Sequence, residues 1–383
     1  MFGRRITLFR LFGFEIRIDW SWLIIAVLIT WSLAQGVFPT YYEGLAASTY
    51  WWMGVAGALG LFASVVAHEL SHSLVARRFG LTMRGITLFI FGGVAEMEEE
   101  PQNAKAEFWM AVAGPAMSVL VGLAFYGLSL WSRSAGWPVP LAEVIAYLWP
   151  INLVLAAFNL LPAFPLDGGR VLRSVLWART GRLQRATRIA SVIGSGFGFA
   201  LIGLGVFFAV RGDVFGGIWW ALIGLFLRGA SQVSYQRLLA RRALQGEPVR
   251  RFMKPDPVTV PSFISVEQFV EETVYRHHFQ MYPVIDEGRL SGCITTRDVK
   301  AIPRHEWAQH TVRELAGTCS VDNTISPDAD ATEALARMTR TGTSRLMVVQ
   351  GDALVGILTL KDLLQFFALK VDLEGRQGME KGD

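Results

Sequence analysis

Long apolar runs separated by short basic or polar connections fill the first two thirds of the chain; beyond them, short apolar runs alternate with polar turns. A helix crossing a bilayer needs about 20 mainly apolar residues. Six runs meet that length, centred on 20–38, 51–76, 108–131, 142–161, 190–210 and 215–234. The pattern predicts a mainly α, polytopic membrane domain of about six transmembrane helices over residues 1–240. The first run follows Arg4, Arg5, Arg10 and Arg17 and lacks a small-residue cleavage site, so it reads as an uncleaved anchor. Residues 84–95, from Arg84 through Ile86, Leu88 and Phe91 to Gly92, Gly93 and Ala95, are β-branched and aromatic and end in a glycine turn. They predict a strand or small β-hairpin just after the second span. The remainder reads as soluble α+β in two units, 241–310 and 311–372, followed by a charged, Gly-containing tail over 373–383 expected to be disordered.

Charge divides the chain in the same place. Residues 1–245 carry 20 Lys and Arg against 12 Asp and Glu, and the rest carries 16 against 20. The basic residues of the membrane half lie at helix ends rather than on one face, which suits lipid headgroups and gives no reason to invoke nucleic acid. Arg4, Arg5, Arg10, Arg17, Arg77, Arg78, Arg84, Lys105 and the six arginines from Arg170 to Arg188 fall in alternate connections, whereas the opposite side has only Arg133 and Arg211. By the positive-inside rule both termini and the soluble units are expected to be cytoplasmic, with Trp20, Trp51, Trp52, Trp131, Trp137, Trp219 and Trp220 near span ends as interfacial anchors. Cys293 and Cys319 both lie in the soluble part and read as reduced thiols.

Within the second apolar run stands His68-Glu69-Leu70-Ser71-His72. Positions i and i+4 share a helix face, so both imidazoles can bind one Zn²⁺ while Glu69 acts on the water to be activated. Ionisable residues in a membrane segment are expensive enough to suggest function by default. If the span enters from the outside near Trp51, the motif lies roughly 25 to 30 Å further in, toward the cytoplasmic edge of the hydrocarbon.

Tetrahedral zinc holding one water needs a third protein ligand. The other four histidines, His277, His278, His305 and His310, are all in the soluble part, and the membrane half has no cysteine. That leaves a carboxylate. Glu15 and Asp19 precede the first span, Glu43 and Asp213 fall in outside loops, Glu96 and Glu98 to Glu100 read as a solvated run, and Glu107 and Glu143 sit at span edges. Asp167 stands apart, at the end of Asn159-Leu160-Leu161-Pro162-Ala163-Phe164-Pro165-Leu166-Asp167-Gly168-Gly169-Arg170. Pro162 and Pro165 break the fourth span there, and Gly168 and Gly169 allow a sharp backbone path that would aim the carboxylate at a metal. A plain turn or helix N-cap is the competing reading of Asp167.

The His68 to His72 motif, together with Asn159-Leu160-Leu161-Pro162 and Leu166-Asp167-Gly168, resembles the site-2 protease family of intramembrane zinc metalloproteases. The resemblance spans residues 1 to about 235 and includes Phe91-Gly92-Gly93-Val94-Ala95 and Ala113-Gly114-Pro115. It implies His68, His72 and Asp167 as zinc ligands, Glu69 as catalytic base, and Asn159 beside the zinc, contacting substrate or oxyanion. The implied substrate is a transmembrane segment of another membrane protein, which must be locally unwound to expose its peptide bonds. The free edge of the strand over 84–95 could hold such an extended segment by β-augmentation, or the strand could form a structural hairpin closing the site.

The soluble part contains a repeat. Val249-Arg250-Arg251-Phe252-Met253 opens one unit and Val312-Arg313-Glu314-Leu315-Ala316 the next; the units close on Gly292-Cys293-Ile294-Thr295-Thr296-Arg297-Asp298 and Gly356-Ile357-Leu358-Thr359-Leu360-Lys361-Asp362. This resembles a tandem pair of cystathionine-β-synthase (CBS) domains. The resemblance implies an adenine nucleotide (ATP, ADP or AMP) held by Thr295, Asp298, Thr359 and Asp362, with the acids on ribose hydroxyls and the threonines near phosphate. Ligand-free pairs that make a homodimer are the alternative. Six spans with a CBS pair also fit a regulated transporter or channel, and the zinc motif fits a membrane peptidase acting on soluble or lipidated peptides.

Overall fold

A computed structural model describes residues 5–90, 92–97 and 101–381, so the acidic run at Glu98 to Glu100 and Phe91 lie outside the described residues. The chain separates into two compact units, Met1–Tyr235 and Gln236–Asp383.

Among the described residues six helices are long and apolar enough to cross a membrane: Trp20–Tyr41, Ala47–Arg78, Ala104–Ser134, Val139–Asn159, Leu183–Val210 and Val214–Leu244, here called the first to sixth spans. Their packing is that of a membrane protein. The second span buries Gly54, Gly57, Ala58 and Ser64 and exposes Trp52, Val55 and Leu59, so small residues face neighbouring helices and large apolar ones face outward. Gly198 and Gly224 bring the fifth and sixth spans into backbone contact, a Cβ on either meeting the other's carbonyl oxygen at 2.7 and 2.5 Å. A further helix, Asp167–Thr180, joins the fourth and fifth spans; the sequence had offered a turn or a helix N-cap at Asp167, and the N-cap is Leu166.

Four strands form one sheet in the order β1-β2-β3-β4, with β1 Arg5–Leu11, β2 Phe14–Asp19, β3 Met83–Phe89 and β4 Gly92–Met97. The basic stretch before the first span is thus a hairpin. Phe14, Ile16 and Ile18 alternate with Glu15, Arg17 and Asp19, a period-two signal that the flanking arginines obscure. Asp19 then caps the first span, accepting from the Ser21 backbone N–H at 2.9 Å. Buried Phe14, Ile16 and Ile86 cluster with Leu70, so the sheet docks against the second span in the middle of the His68 to His72 motif.

The region 84–95 is a hairpin rather than one strand with a free edge. β3 pairs in parallel with β2 and antiparallel with β4, so both its edges are taken and β4 forms the rim of the sheet.

The second unit carries two sheets. One has the order β5-β6-β7-β8, from Val260–Pro261, Met281–Asp286, Arg289–Thr295 and Gly317–Thr318; the other is β11-β10-β9, from Ala353–Thr359, Arg345–Gln350 and Thr324–Ile325. The repeat extends to irregularities: β6 and β7 shift register after Val284, and β10 and β11 after Val348. Each opening segment packs in the other repeat's core, Val249 and Phe252 with Leu346 and Leu358, and Val312 with Val260 and Ile294. Spatial halves therefore do not coincide with the linear boundary at 310/311, because the apolar face of each opening segment is buried by the partner repeat. The last helix, Leu360–Lys381, continues beyond 372 where disorder was expected; Glu, Arg, Gln, Met and Lys in that stretch favour helix and no proline stops it.

Candidate metal centre

The second span holds both imidazoles on one face, and the Asp167–Thr180 helix brings a carboxylate to them. His68 Nε2 and His72 Nε2 are 3.2 Å apart, and Asp167 Oδ2 lies 3.0 Å from the first and 3.2 Å from the second. Among the described residues this is the one convergence of three such donors, and all three are buried. Four ligands about 2.0–2.1 Å from zinc in a tetrahedron stand about 3.3 Å apart. The observed triangle has that size.

The donor chemistry also asks for a cation. His72 Nδ1 faces the Met110 carbonyl oxygen at 2.6 Å, so that nitrogen carries the proton and Nε2 presents a lone pair. His68 Nδ1 is held 2.8 Å from Ser118 Oγ. Two ring nitrogens and a carboxylate oxygen thus point at one spot. The third span closes on the rings at Gly114: a Cβ there would lie 2.5 Å from His68 Nε2 and nearer still to His72 Nε2, so only a residue without a side chain leaves room beside the two nitrogens. The residues therefore fit zinc.

Asp167 is the first residue of its helix, with Leu166 as N-cap. Gly168 and Gly169 are helical and serve a different end from the sharp backbone path expected of them. A Cβ on Gly168 would strike the Leu160 and Leu161 carbonyls, and one on Gly169 the Ala163–Phe164 peptide, so their bareness lets the Pro162–Pro165 turn fold against the helix start. Ser231 on the sixth span donates to the Phe164 carbonyl from the other side.

Glu69 lies under the sheet rim. A Cβ on Gly93 would come within 2.6 Å of Glu69 Cγ, so β4 passes directly over the carboxylate. Asn159 is half-buried and its Nδ2 donates to the Leu155 carbonyl at 2.9 Å, within its own helix. Sequence reasoning missed Asn152, fully buried, whose Nδ2 bonds Ser64 Oγ at 3.0 Å and ties the fourth span to the second one turn before His68. It also missed Glu107, which pairs with Arg173. For Asn152 the available signal is a polar residue inside an apolar run; Glu107 reads as a span-edge residue, with nothing to name its partner.

In the second unit Thr295 and Asp298 form a capping box, Thr295 Oγ1 donating to Asp298 Oδ2 at 2.7 Å and accepting from the Asp298 N–H. Thr359 and Asp362 repeat the arrangement, and Lys254 Nζ stands 3.5 Å from Asp362 Oδ1. A cleft of about 520 Å³ in this unit is lined by Asp256, Pro257, Thr259, Ile285, Leu354 and Val355, without the four motif residues.

Comparison with known proteins follows the same division. The model of peptidase family M50 matches residues 56–138 and 132–202, which include His68 to His72 and Asp167, and the CBS-domain model matches 249–304 and 312–369. Rip3 of Mycobacterium tuberculosis, which carries a zinc metalloprotease name, is 37% identical over 360 residues, 94% of this chain and 91% of that one. A Synechocystis sp. protein with a like name is 34% identical over 358 residues, covering 93% of each. Among solved structures, a site-2 protease from Methanocaldococcus jannaschii aligns with 60% of this chain and 94% of its own at 27% identity and a TM-score of 0.40.

Proposed function

The chain belongs to peptidase family M50, as an integral membrane zinc metalloprotease of the site-2 type with a CBS pair, and on that premise we propose which residues act, on what, and under what control. His68, His72 and Asp167 hold the zinc, and Glu69 is the catalytic base. The observation that carries this is the buried triangle of two imidazole nitrogens and a carboxylate around the space left by Gly114.

When bound, zinc supplies Lewis acidity to the scissile carbonyl and to the attacking water. Glu69 accepts the water's proton and passes it to the leaving amine. Met110 and Ser118 hold the two rings in the orientation that presents Nε2. Asn159, at the end of the fourth span, contacts the substrate or the oxyanion.

The substrate is a transmembrane segment, unwound and held as an added strand. Because β3 is enclosed, docking falls to β4, the rim strand that crosses Glu69. A peptide paired along that rim runs past the base. The arginine asymmetry supports cytoplasmic termini and places the site near the cytoplasmic face. For the CBS pair we propose an adenine nucleotide bound at Thr295, Asp298, Thr359 and Asp362 and a homodimer through the pair. The carboxylates already spend one oxygen in capping boxes, leaving Asp298 Oδ1 for ribose, while Asp362 Oδ1 faces Lys254 Nζ, a cation that suits phosphate. Unchanged tail stability and cleavage with ATP, ADP and AMP would refute nucleotide control. Family membership sets aside the transporter reading.

The test is reconstitution of the full chain with measurement of zinc per chain and cleavage of a transmembrane and a soluble reporter. Glu69→Gln should keep zinc and lose turnover by about 10²–10⁴. His68→Ala and Asp167→Ala should lose zinc itself. Equal metal loss in all three would refute the division of roles, and preference for the soluble reporter would refute the substrate class.

A further inference from the structure

The third span holds a line of groups aimed at the metal centre. Glu107, Met110, Gly114 and Ser118 are spaced by three, four and four residues and so share one helix face. Met110 and Ser118 meet the two imidazoles and Gly114 leaves the metal space. Glu107, at the start of that line, touches neither histidine. Its side chain is fully buried and accepts from Arg173 Nε at 2.6 Å, with Arg170 Nε 3.9 Å from the same oxygen. Arg173 is itself 6% exposed and lies on the helix that begins with Asp167. Its guanidinium also stacks on Phe164, 4.9 Å from the ring centroid, in the turn leading into Asp167.

The two histidines and the aspartate differ in how they are held. Both imidazoles project from one 32-residue span, so their spacing is set by the helix itself. Asp167 comes from a separate 14-residue helix, and its distance from the imidazoles depends on how that helix sits against the third span. From the geometry we propose that the buried Glu107–Arg173 ion pair is the positioning device for the third zinc ligand, locking the Asp167 helix to the span that orients both histidines. The proposal rests on the assignment of His68, His72 and Asp167 as the metal site.

A charge left alone in so buried a place moves toward water or a new partner, and the helix moves with it. Metal ligands tolerate displacements of about 0.2 Å. A slip far too small to unfold the protein therefore detaches Asp167. Loss of a hydrogen-bond partner of a metal ligand typically weakens metal binding by about 10–100-fold, and displacement of the ligand's own helix is expected to act on the same scale.

The experiment uses purified full-length protein in detergent: wild type, Asp167→Ala, Glu107→Gln, Arg173→Gln and Arg173→Lys. Each is titrated with zinc against a chromophoric chelator, its cobalt(II) form is scanned in the visible, and the metal-free protein is melted. The expected result is zinc affinity about 10–100-fold below wild type for Glu107→Gln and Arg173→Gln, with cobalt bands altered in the direction of Asp167→Ala and partial recovery in Arg173→Lys. Lower melting temperatures with unchanged zinc affinity and cobalt spectrum would make the pair a mere fold brace and overturn the proposal. If Asp167→Ala binds zinc like wild type, the metal-site assignment fails first and the proposal with it. Should the charge-deleting variants not fold, Glu107→Asp and Arg173→Lys carry the same comparison, with unchanged affinity in both counting against it.

Discussion

Gly114→Ala is the sharpest perturbation of the metal centre, because it adds one carbon against both ring nitrogens that would bind the ion. The new Cβ would stand 2.5 Å from His68 Nε2 and closer to His72 Nε2, whereas an ordinary Cβ contact begins near 3.4 Å. Each ring must retreat by about 0.9 Å or more, several times the ±0.2 Å that zinc coordination allows. At least one imidazole then leaves the metal. If total zinc binding is about 10–16 kcal/mol shared over four ligands, one ligand represents about 2.5–4 kcal/mol, or roughly 10²–10³ in affinity. The assay is zinc per chain by elemental analysis plus chelator competition, with thermal unfolding of the metal-free protein to separate metal loss from misfolding. Gly127→Ala is the control on the same span, since its added Cβ meets nothing within 4 Å. It should keep full zinc affinity, and helix propensity alone would stabilise it by at most about 1 kcal/mol. Wild-type zinc stoichiometry and affinity in Gly114→Ala would show that the ion does not sit between these rings.

Three further outcomes follow from the same geometry. Ser118→Ala removes the partner of His68 Nδ1 and should weaken zinc by about 10-fold or more with little change in melting of the metal-free protein, as read by chelator competition. Proline placed in turn at Val94 and Ala95 of β4 should distinguish ladder from docking, because neighbouring residues of a strand point their N–H groups to opposite edges. One of the two should lose cleavage of a transmembrane reporter while keeping zinc; full cleavage in both would refute docking at the rim. Asp330, at the N-cap of the helix Ala331–Thr341, has its carboxyl held below the usual range: burial alone would raise it, but hydrogen bonds from Thr332 and the Gly246 N–H outweigh that. A lowered folded value means its contribution is present at neutral pH, above the unfolded value of about 3.9, and is lost as pH falls through the folded value. The melting temperature of the soluble unit should accordingly decline in that acid range in wild type and decline less in Asp330→Asn.

What the sequence disclosed and what it hid differ in physical kind. The pair His68 and His72 is legible because a helix turns separation by four into proximity, and Asp167 because the membrane half has no third histidine and no cysteine and its other carboxylates fall in loops, before the first span or at span edges. The six spans are legible because lipid demands about 20 apolar residues in a row. The third span's part in the site was not legible, since its contributions are a backbone carbonyl at Met110, an absent Cβ at Gly114, and a charge at Glu107 whose partner lies 66 positions away. Ala113-Gly114-Pro115 marks the span in the sequence, but nothing local shows that a carbonyl, a missing Cβ and an ion pair are what it contributes. The β1–β2 hairpin was masked by Arg10, Glu15 and Arg17, which neutralise one another across it and look, in one dimension, like a basic leader. That hairpin matters for function because β2 occupies the open side of β3. On the docking proposed above, an extended substrate is denied the strand first expected to receive it and left with β4, whose Gly93 lies over Glu69.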